Sequence, residues 1–384
     1  MPVPDNDPPL TAGVAAAHGV DRPADSSARR AEASARIPLE VEQVDQLDRL
    51  ETLAGELDTL LGRTGAPASA RWPELRAGLA HDPQARPRAV VVRRANSPVA
   101  VALLTARLRN GAWILHGVNQ DDSEGWLAAL DDEAAEALAA ALTAALLNLH
   151  RPWMLDLRMQ PTDDPVIAAL HRMLPCSVII PGVEVAKLAC DTSRSLARCL
   201  SRNTRNACAR ARKRIAAAGL RPILEWTREA AVIERHLDEV VTLHRRRNHQ
   251  LRGFAGLDDP RQREHFKDTV RLQAGAGRAR LLTFRLDGQL AAFALCFESA
   301  GQLLVYSNMA SPDWLDFSPG TIANAEIVAA AHRDPSVREV DWGPGLQRYK
   351  LSGEGVRVEQ LVQFNAWSSV SFRMVWSIVE RVRR

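Results

Sequence analysis

The apolar positions fall into short runs separated by turn-forming pairs. Ala89–Ala95 (AVVVRRA) is rich in β-branched residues and is predicted to be a strand. Asn96-Ser97 reads as a turn, Val99–Leu108 as a second strand, Asn110-Gly111 as another turn and Ala112–Val118 as a third strand. An alanine-rich helix follows, starting at Ser123 or Asp131 and running to His150. A short strand, Trp153–Leu157, a helix over Pro165–Leu174 and an extended apolar run, Ser177–Leu188, complete the set. Ahead of it, Ile37–Gly62 places Val44, Leu47, Leu50, Leu53 and Leu57 on one helical face.

The second half repeats this order. Ala279–Leu286 reads as a strand, Asp287-Gly288 as a hairpin turn and Gln289–Ser299 as a strand. Ala300-Gly301 reads as a turn and Leu303–Ala310 as a third strand. A helix from Gly320 to His332 and a short strand, Val337–Trp342, follow. The first turns, at Asn96 and Asp287, lie 191 residues apart, and the second, at Asn110 and Ala300, lie 190 apart. Two three-strand meanders at a constant offset predict a duplicated α/β unit, although the letters barely match.

Between the halves, Ser193–Pro222 carries nine basic residues and no acid. Leu196, Leu200, Ala207, Ala211 and Ile215 give it one modest apolar stripe, so it reads as a basic helix or helix pair. Glu229–Arg246 reads as a second helix, with Ile233, Leu237, Val240 and Val241 on its buried face.

Composition narrows the class. The chain has 384 residues, 46% hydrophobic and 25% charged, enough for two globular domains. Net charge is only +3. Cys176, Cys190, Cys199, Cys208 and Cys296 are odd in number and scattered, which reads as reduced thiols in a cytoplasm and gives no metal-ligand spacing. No apolar run is long enough to span a membrane, and the start lacks the basic-then-apolar pattern of a secretory signal. Residues 1–36, rich in proline, alanine and acids, read as a disordered tail. The remainder divides into 37–190 and 191–384.

The chemistry concentrates in the second half. Helix N-termini favour anions, because their backbone N–H groups are free and the dipole is positive. The first half's junction between third strand and helix, Asn119–Glu124, holds three carboxylates that would repel a phosphate. The second half's reads Asp316-Phe317-Ser318-Pro319-Gly320-Thr321. There Ser318 suits an N-cap, Pro319 the first helical position and Gly320 the close approach of a ligand. Further on, "DWGPGLQRYKLSGEG" (Asp341–Gly355) sets Tyr349 and Lys350 in a glycine-rich loop. They stand either in a plain surface turn or against a reacting group. Asp341 ends the preceding strand, as a loop cap or as a carboxylate facing an amine. Tyr306 lies mid-strand, as a core aromatic or at a ligand site. His244 and His249 serve as helix-end cations or line an acceptor site. No Ser-His-Asp order, Walker loop or dinucleotide fingerprint argues for hydrolase, kinase or dehydrogenase activity.

The element order, with an anion site before the helix, resembles the GNAT acyltransferase fold. Four stretches are similar to its CelD-type branch, often found with polysaccharide genes, and to the related Fem-type peptidyltransferases. They are the basic segment from Leu200-Ser201-Arg202-Asn203 through Arg214, the hairpin Leu286–Ala292, Ser318-Pro319-Gly320, and Asp341-Trp342-Gly343 with Tyr349-Lys350. The resemblance covers about Asp191 to Phe364 and matches the first half by architecture only.

The resemblance implies an α/β protein of two tandem GNAT-like domains, each a mixed, mostly antiparallel sheet flanked by helices. It implies an N-acyltransferase moving an acyl group to an amine on an amino sugar, a peptide or a small metabolite. The usual GNAT pyrophosphate loop is absent, so the donor stays open between acyl-CoA and, as in Fem-type relatives, aminoacyl-tRNA. A third reading is a catalytically inactive scaffold. Lys350 would stabilise the oxyanion, Tyr349 would shape the pocket or protonate the leaving group, and Asp341 would orient the amine or act as base. Ser318, Gly320, Thr321 and Tyr306 would border the acyl donor. Arg202, His244 and His249 would contact the substrate, and no metal is expected. The acceptor is expected in a cleft between the two domains.

Overall fold

The structure is a computed structural model that describes residues 38–81, 84–117, 126–190 and 195–383. Leu39–Arg384 forms one compact unit. The expected N-terminal tail, Val118 at the end of the third strand, the Asn119–Glu124 junction and the alternative helix start at Ser123 lie outside the described residues.

The first element corrects the sequence reading. Strand β1 (Leu39–Val44) precedes helix α1 (Leu47–Arg63), where one helix was expected from Ile37. LEVEQV alternates and pairs antiparallel along β2 (Arg86–Arg94), from Leu39 opposite Arg94 to Val44 opposite Ala89. Leu50, Leu53 and Leu57 do form the buried helical face. Beyond helix α2 (Trp72–His81), β2 is joined by β3 (Ser97–Arg109), β4 (Ala112–Gly117) and the short β5 (Ala128–Ala129). The first hairpin turns at Ala95–Asn96, one residue earlier than read, and both residues have positive φ. Helix α3 (Asp132–Leu147) starts at an Asp131 cap whose carboxylate accepts from the Ala134 N–H, 2.8 Å away. Strand β6 (Trp153–Gln160), helix α4 (Pro165–Met173) and strand β7 (Ser177–Ala189) finish this half.

The basic segment forms a short α5 (Leu196–Cys199) and α6 (Arg202–Ala217). Cys208, Ala211 and Ile215 bury one face of α6. Strand β8 (Pro222–Thr227), helix α7 (Ala230–Arg252) and helix α8 (Pro260–Gly275) lead to the meander β9 (Ala279–Leu286), β10 (Gln289–Ser299) and β11 (Gln302–Ala310). Asp287 and Gly288 have positive φ, as a tight hairpin of this composition requires. Helix α9 (Pro319–Arg333), strands β12 (Glu339–Pro344) and β13 (Val356–Trp367), and helix α10 (Val370–Arg383) end the chain.

The strands form one sheet in the order β1-β2-β3-β4-β6-β13-β7-β12-β11-β10-β9-β8, with β5 paired on β3. β4 lies parallel to β6, and β11 parallel to β12. The two halves exchange strands at the centre. β13, from the second half, inserts between β6 and β7 of the first, and β7 in turn pairs with β12. Separate apolar cores lie on this sheet, one beneath α3 and α4 and another beneath α6 and α9.

The halves also meet away from the sheet. Arg71, nearly buried, donates to Ser299 (2.7 Å) and, through two nitrogens, to the Asp58 carboxylate (3.0 and 2.9 Å). The Ser299 hydroxyl donates to the Ala66 carbonyl at 2.7 Å, and Gln273 donates to the Ala68 carbonyl at 2.9 Å. Arg71 and Arg278 hold the Asp58 carboxyl below its usual range against the opposing effect of burial. This polar latch holds the Pro67–Ser69 segment, whose Pro67 and Ser69 wall a cleft between the halves.

Candidate active site at the strand exchange

β11 and β12 pair over only three positions, Gln302–Leu304 against Glu339–Asp341, and then part. On one face of the parting lies a cleft of about 560 Å³, walled by both halves. The first half supplies Pro67, Ser69, Met159 and Val185. The second supplies His244 and Asn248 from α7, Tyr306–Met309 from β11, and Asp341–Pro344 with Tyr349 and Lys350. On the other face lies a hollow of about 360 Å³ bounded by Ser201, Asn203 and Thr204 of α6 and Thr321, Asn324 and Val328 of α9. Trp342 and Tyr349 border both spaces, and their rings meet edge to face at 5.7 Å.

The loop after β12 is built to point Lys350 inward. Gly343 and Gly345 take positive φ, and the Gly345 N–H donates to the Glu184 carbonyl at 2.9 Å, tying the loop to β7. A turn from Gln347 to Lys350 (2.9 Å) reverses the chain. The Lys350 side chain then folds back, 5% exposed, and donates to the carbonyls of Gly343 (3.1 Å) and Pro344 (2.7 Å). Carbonyl dipoles solvate the ammonium only in part. Burial therefore pushes its pKa down to about 8, while Asp341 acts in the opposite direction.

Asp341 is 1% exposed and accepts from the Gly343 N–H at 2.7 Å, so it caps the loop as well as facing the cleft. Tyr349 and Asn308 both line the cleft, and the Asn308 amide donates to Asn324 at 2.9 Å. Burial raises the Tyr349 pKa, so the phenol keeps its proton.

The other expected residues divide between the two spaces. His244 lines the cleft beside Phe266, with the Asn248 amide 3.2 Å from its Nδ1. Burial first, then Arg252, pushes its pKa down to about 4, so its imidazole is neutral at physiological pH. His249 turns aside, half-exposed, to pair with Asp258 at 2.7 Å. Tyr306 stacks between Phe266 and Phe297 on the cleft side and does not join the start of α9. Arg202 lies with Arg198, Arg205 and Glu354 in a separate pocket that shares Leu200 and Ser201 with the α6–α9 hollow.

Ser318 precedes α9 with φ of 51° but makes no capping bond. Its hydroxyl accepts from Arg214 at 3.0 Å, and Arg214 also donates to the Asp316 carbonyl at 2.7 Å. A Cβ on Gly320 would sit 3.2 Å from that of Ala310, so the glycine lets helix and strand pack closely. Thr321 is the first residue of α9 to face the hollow.

Sequence reasoning missed Ser69 and Ser307, buried cleft residues whose hydroxyls have no hydrogen-bond partner. It also missed Lys187. Isolated serines and a lysine in an apolar strand carry no local signal. Only the fold brings the serines to the cleft and Lys187 beside Asp341.

Residues 202–351 match the family described as acetyltransferase (GNAT) domain. Among solved structures, FemX superposes with a TM-score of 0.61 at 12% identity, covering 84% of this chain and 96% of its own. A conserved protein of unknown function from Bacteroides thetaiotaomicron VPI-5482 gives 0.55 at 14% identity, covering 85% and 99%. No curated protein matches. Residues 202–351 thus carry a GNAT acetyltransferase domain, which supports an acyltransferase, and the chain as a whole has the fold of FemX. Among the described residues there is no group of three or more side chains that could hold a metal ion, and no helix long and apolar enough to cross a membrane.

Proposed function

We propose that the protein transfers an acyl group from an acyl-CoA, held in the α6–α9 hollow, to a primary amine held in the cleft between the halves. The observation that carries this reading is Lys350, a buried cation at the parting of β11 and β12, beside a tyrosine that borders both spaces. A carbonyl placed there meets a preorganised positive charge as its oxygen becomes an oxyanion. Tyr349, still protonated, supplies a proton to the departing thiolate. Asp341 or the neutral His244 takes the proton from the attacking amine.

The hollow suits the donor arm. Leu200, Ala207, Ala325 and Val328 give apolar contact, while Ser201, Asn203, Thr204, Thr321 and Asn324 can meet amide groups. The adjoining pocket at Arg198, Arg202 and Arg205 suits phosphates. The acceptor is an amine on an amino sugar, a peptide or a small metabolite, with Ser69 and Ser307 as hydroxyls able to bind it.

Thermal unfolding with a panel of acyl-CoAs tests the donor. A ligand at about 100 times its dissociation constant stabilises the fold by about 2.7 kcal/mol. One acyl-CoA class should raise the melting temperature, and Lys350→Ala should keep that binding while losing turnover. No shift with any acyl-CoA would sink the CoA reading.

A specific observation favours a second donor, aminoacyl-tRNA. Among the described residues, Arg198, Arg202, Arg205, Arg210, Arg212 and Lys213 pair with no carboxylate, whereas Arg245 and Arg271 on α7 and α8 do. An RNA backbone would neutralise such a surface, and its binding would weaken steeply with salt.

A further inference from the structure

Besides its wall of the cleft, the first half places one charged side chain beside the loop that carries Lys350. Lys187 of β7 sits opposite Asp341 of β12 and opposite Arg357 of β13, at the crossing where the halves exchange strands. It is 6% exposed. Its ammonium lies 2.7 Å from the Glu359 carboxylate and 3.9 Å from that of Asp341. Arg357 serves the carboxylates on the outer side, pairing with Glu359 at 3.0 Å and with Glu339. The charges around the loop are thus the buried Lys187 from β7, Asp341 from β12 and Lys350 itself, with the half-buried Glu359 and the exposed Arg357 of β13 beside them.

We propose that Lys187 is a positioning residue of the acyl-transfer site: it neutralises Asp341, so that Lys350 stays at the Gly343 and Pro344 carbonyls and faces the cleft. This rests on the reading of Lys350 as the group that polarises the acyl carbonyl. The argument is one of charge balance. Asp341 is 1% exposed, and a buried carboxylate turns to the cations within reach. Arg357 can still serve Glu359 if Lys187 is removed, but Asp341 would then draw on Lys350. An ion-paired Lys350 would hold its proton more tightly and have less of its field available for a substrate carbonyl. The arrangement also gives the first half a catalytic part that needs no reacting group of its own: its last strand carries the cation that leaves the second half's lysine at its post.

The titration of Lys350 reads this directly and needs no substrate. Competitive labelling with 1-fluoro-2,4-dinitrobenzene over a pH series, followed by mass spectrometry of the peptide carrying Lys350, should place its midpoint near about 8 in the wild type. Lys187→Met should raise that midpoint by about one pH unit, and Lys187→Arg should restore it. In the Asp341→Asn background, Lys187→Met should have little further effect. An unchanged midpoint in Lys187→Met, or an equal shift in both backgrounds, overturns the proposal. Should Lys187→Met fail to fold, Asp341→Asn alone must lower the midpoint, and a midpoint that does not move overturns it equally. If Lys350 titrates as described in a protein that transfers no acyl group, the proposed function fails and the electrostatic role of Lys187 stands.

Discussion

In the proposed reaction Lys350 is the residue on which the chemistry turns, and its environment gives it opposite signatures in activity and in stability. Its folded pKa, about 8, lies below the 10.5 of an ordinary lysine. Between those values the unfolded chain binds more protons than the folded one, so this group's contribution to stability grows as pH rises. Acyl transfer that uses the ammonium runs the other way. The rate should decline as pH passes about 8 while the melting temperature gains from the same group. A rate that stays flat through that range would count against the ammonium as the oxyanion partner. Lys350→Met should lower turnover by about 100- to 1,000-fold, the usual loss when one oxyanion donor is removed, with the fold retained. Tyr349→Phe separates pocket shape from proton donation. It keeps the ring against Trp342 and removes the hydroxyl, so it should slow turnover with a poor leaving group more than with a good one.

Among elements, the loop from Gly345 to Gly355 decides where Lys350 points, and α5 anchors its far end. Gly353 has φ of 139°, and a Cβ there would lie 2.3 Å from the Cys199 carbonyl oxygen. Backbone cannot yield as a flexible side chain does. Gly353→Ala should therefore destabilise the protein by about 2 kcal/mol in denaturant unfolding and should also lower activity by moving the loop. A neutral outcome would mean that the loop is not held by α5. The glycine-rich composition of this stretch is plain in the sequence, and so is the Tyr-Lys pair within it. The destination of the side chain is not, because carbonyls seven and six residues away receive it. Helix α8 and strands β8 and β13 were not read from the sequence. α8 is strongly polar along its length, and β13 interleaves Arg357, Glu359, Gln360 and Gln363 with its apolar residues. β1 was misread because six residues of alternating pattern also fit the edge of the amphipathic helix that follows. Pairing with β2 decides between them.

At the scale of the whole molecule, the exchange of β7 and β13 makes the two halves interdependent. Phe364 and Ala366 of β13 are fully buried in the first half's core, and Ala186 and Leu188 of β7 in the second's. Removing either strand would open both cores. We expect fragments 38–190 and 195–384, expressed separately, to lack cooperative folding, and co-expression to recover it. The intact chain should unfold in one transition when tryptophan fluorescence and far-UV circular dichroism are compared. Two separated transitions would show that the central strands do not couple the halves. The polar latch of Arg71, Asp58 and Ser299 works in the same direction. Its loss should loosen the Pro67–Ser69 wall of the cleft before it affects either core.

By itself, the sequence determined the local alphabet of the fold. Alternation, turn pairs and helical stripes reveal most strands and helices, and their order reveals the duplication. The four short stretches from Leu200 to Lys350 point to an acyltransferase of the GNAT type. These are properties of neighbouring residues, fixed by backbone sterics and by the burial of one face. Tertiary structure alone decided the strand exchange, the cleft shared by both halves and the partners of the buried charges. Lys187 and Asp341 stand more than 150 residues apart in the chain, and 3.9 Å separates their charged atoms. Such a pairing depends on sheet register, which sums many weak contacts across distant segments. No stretch of the sequence contains that information locally.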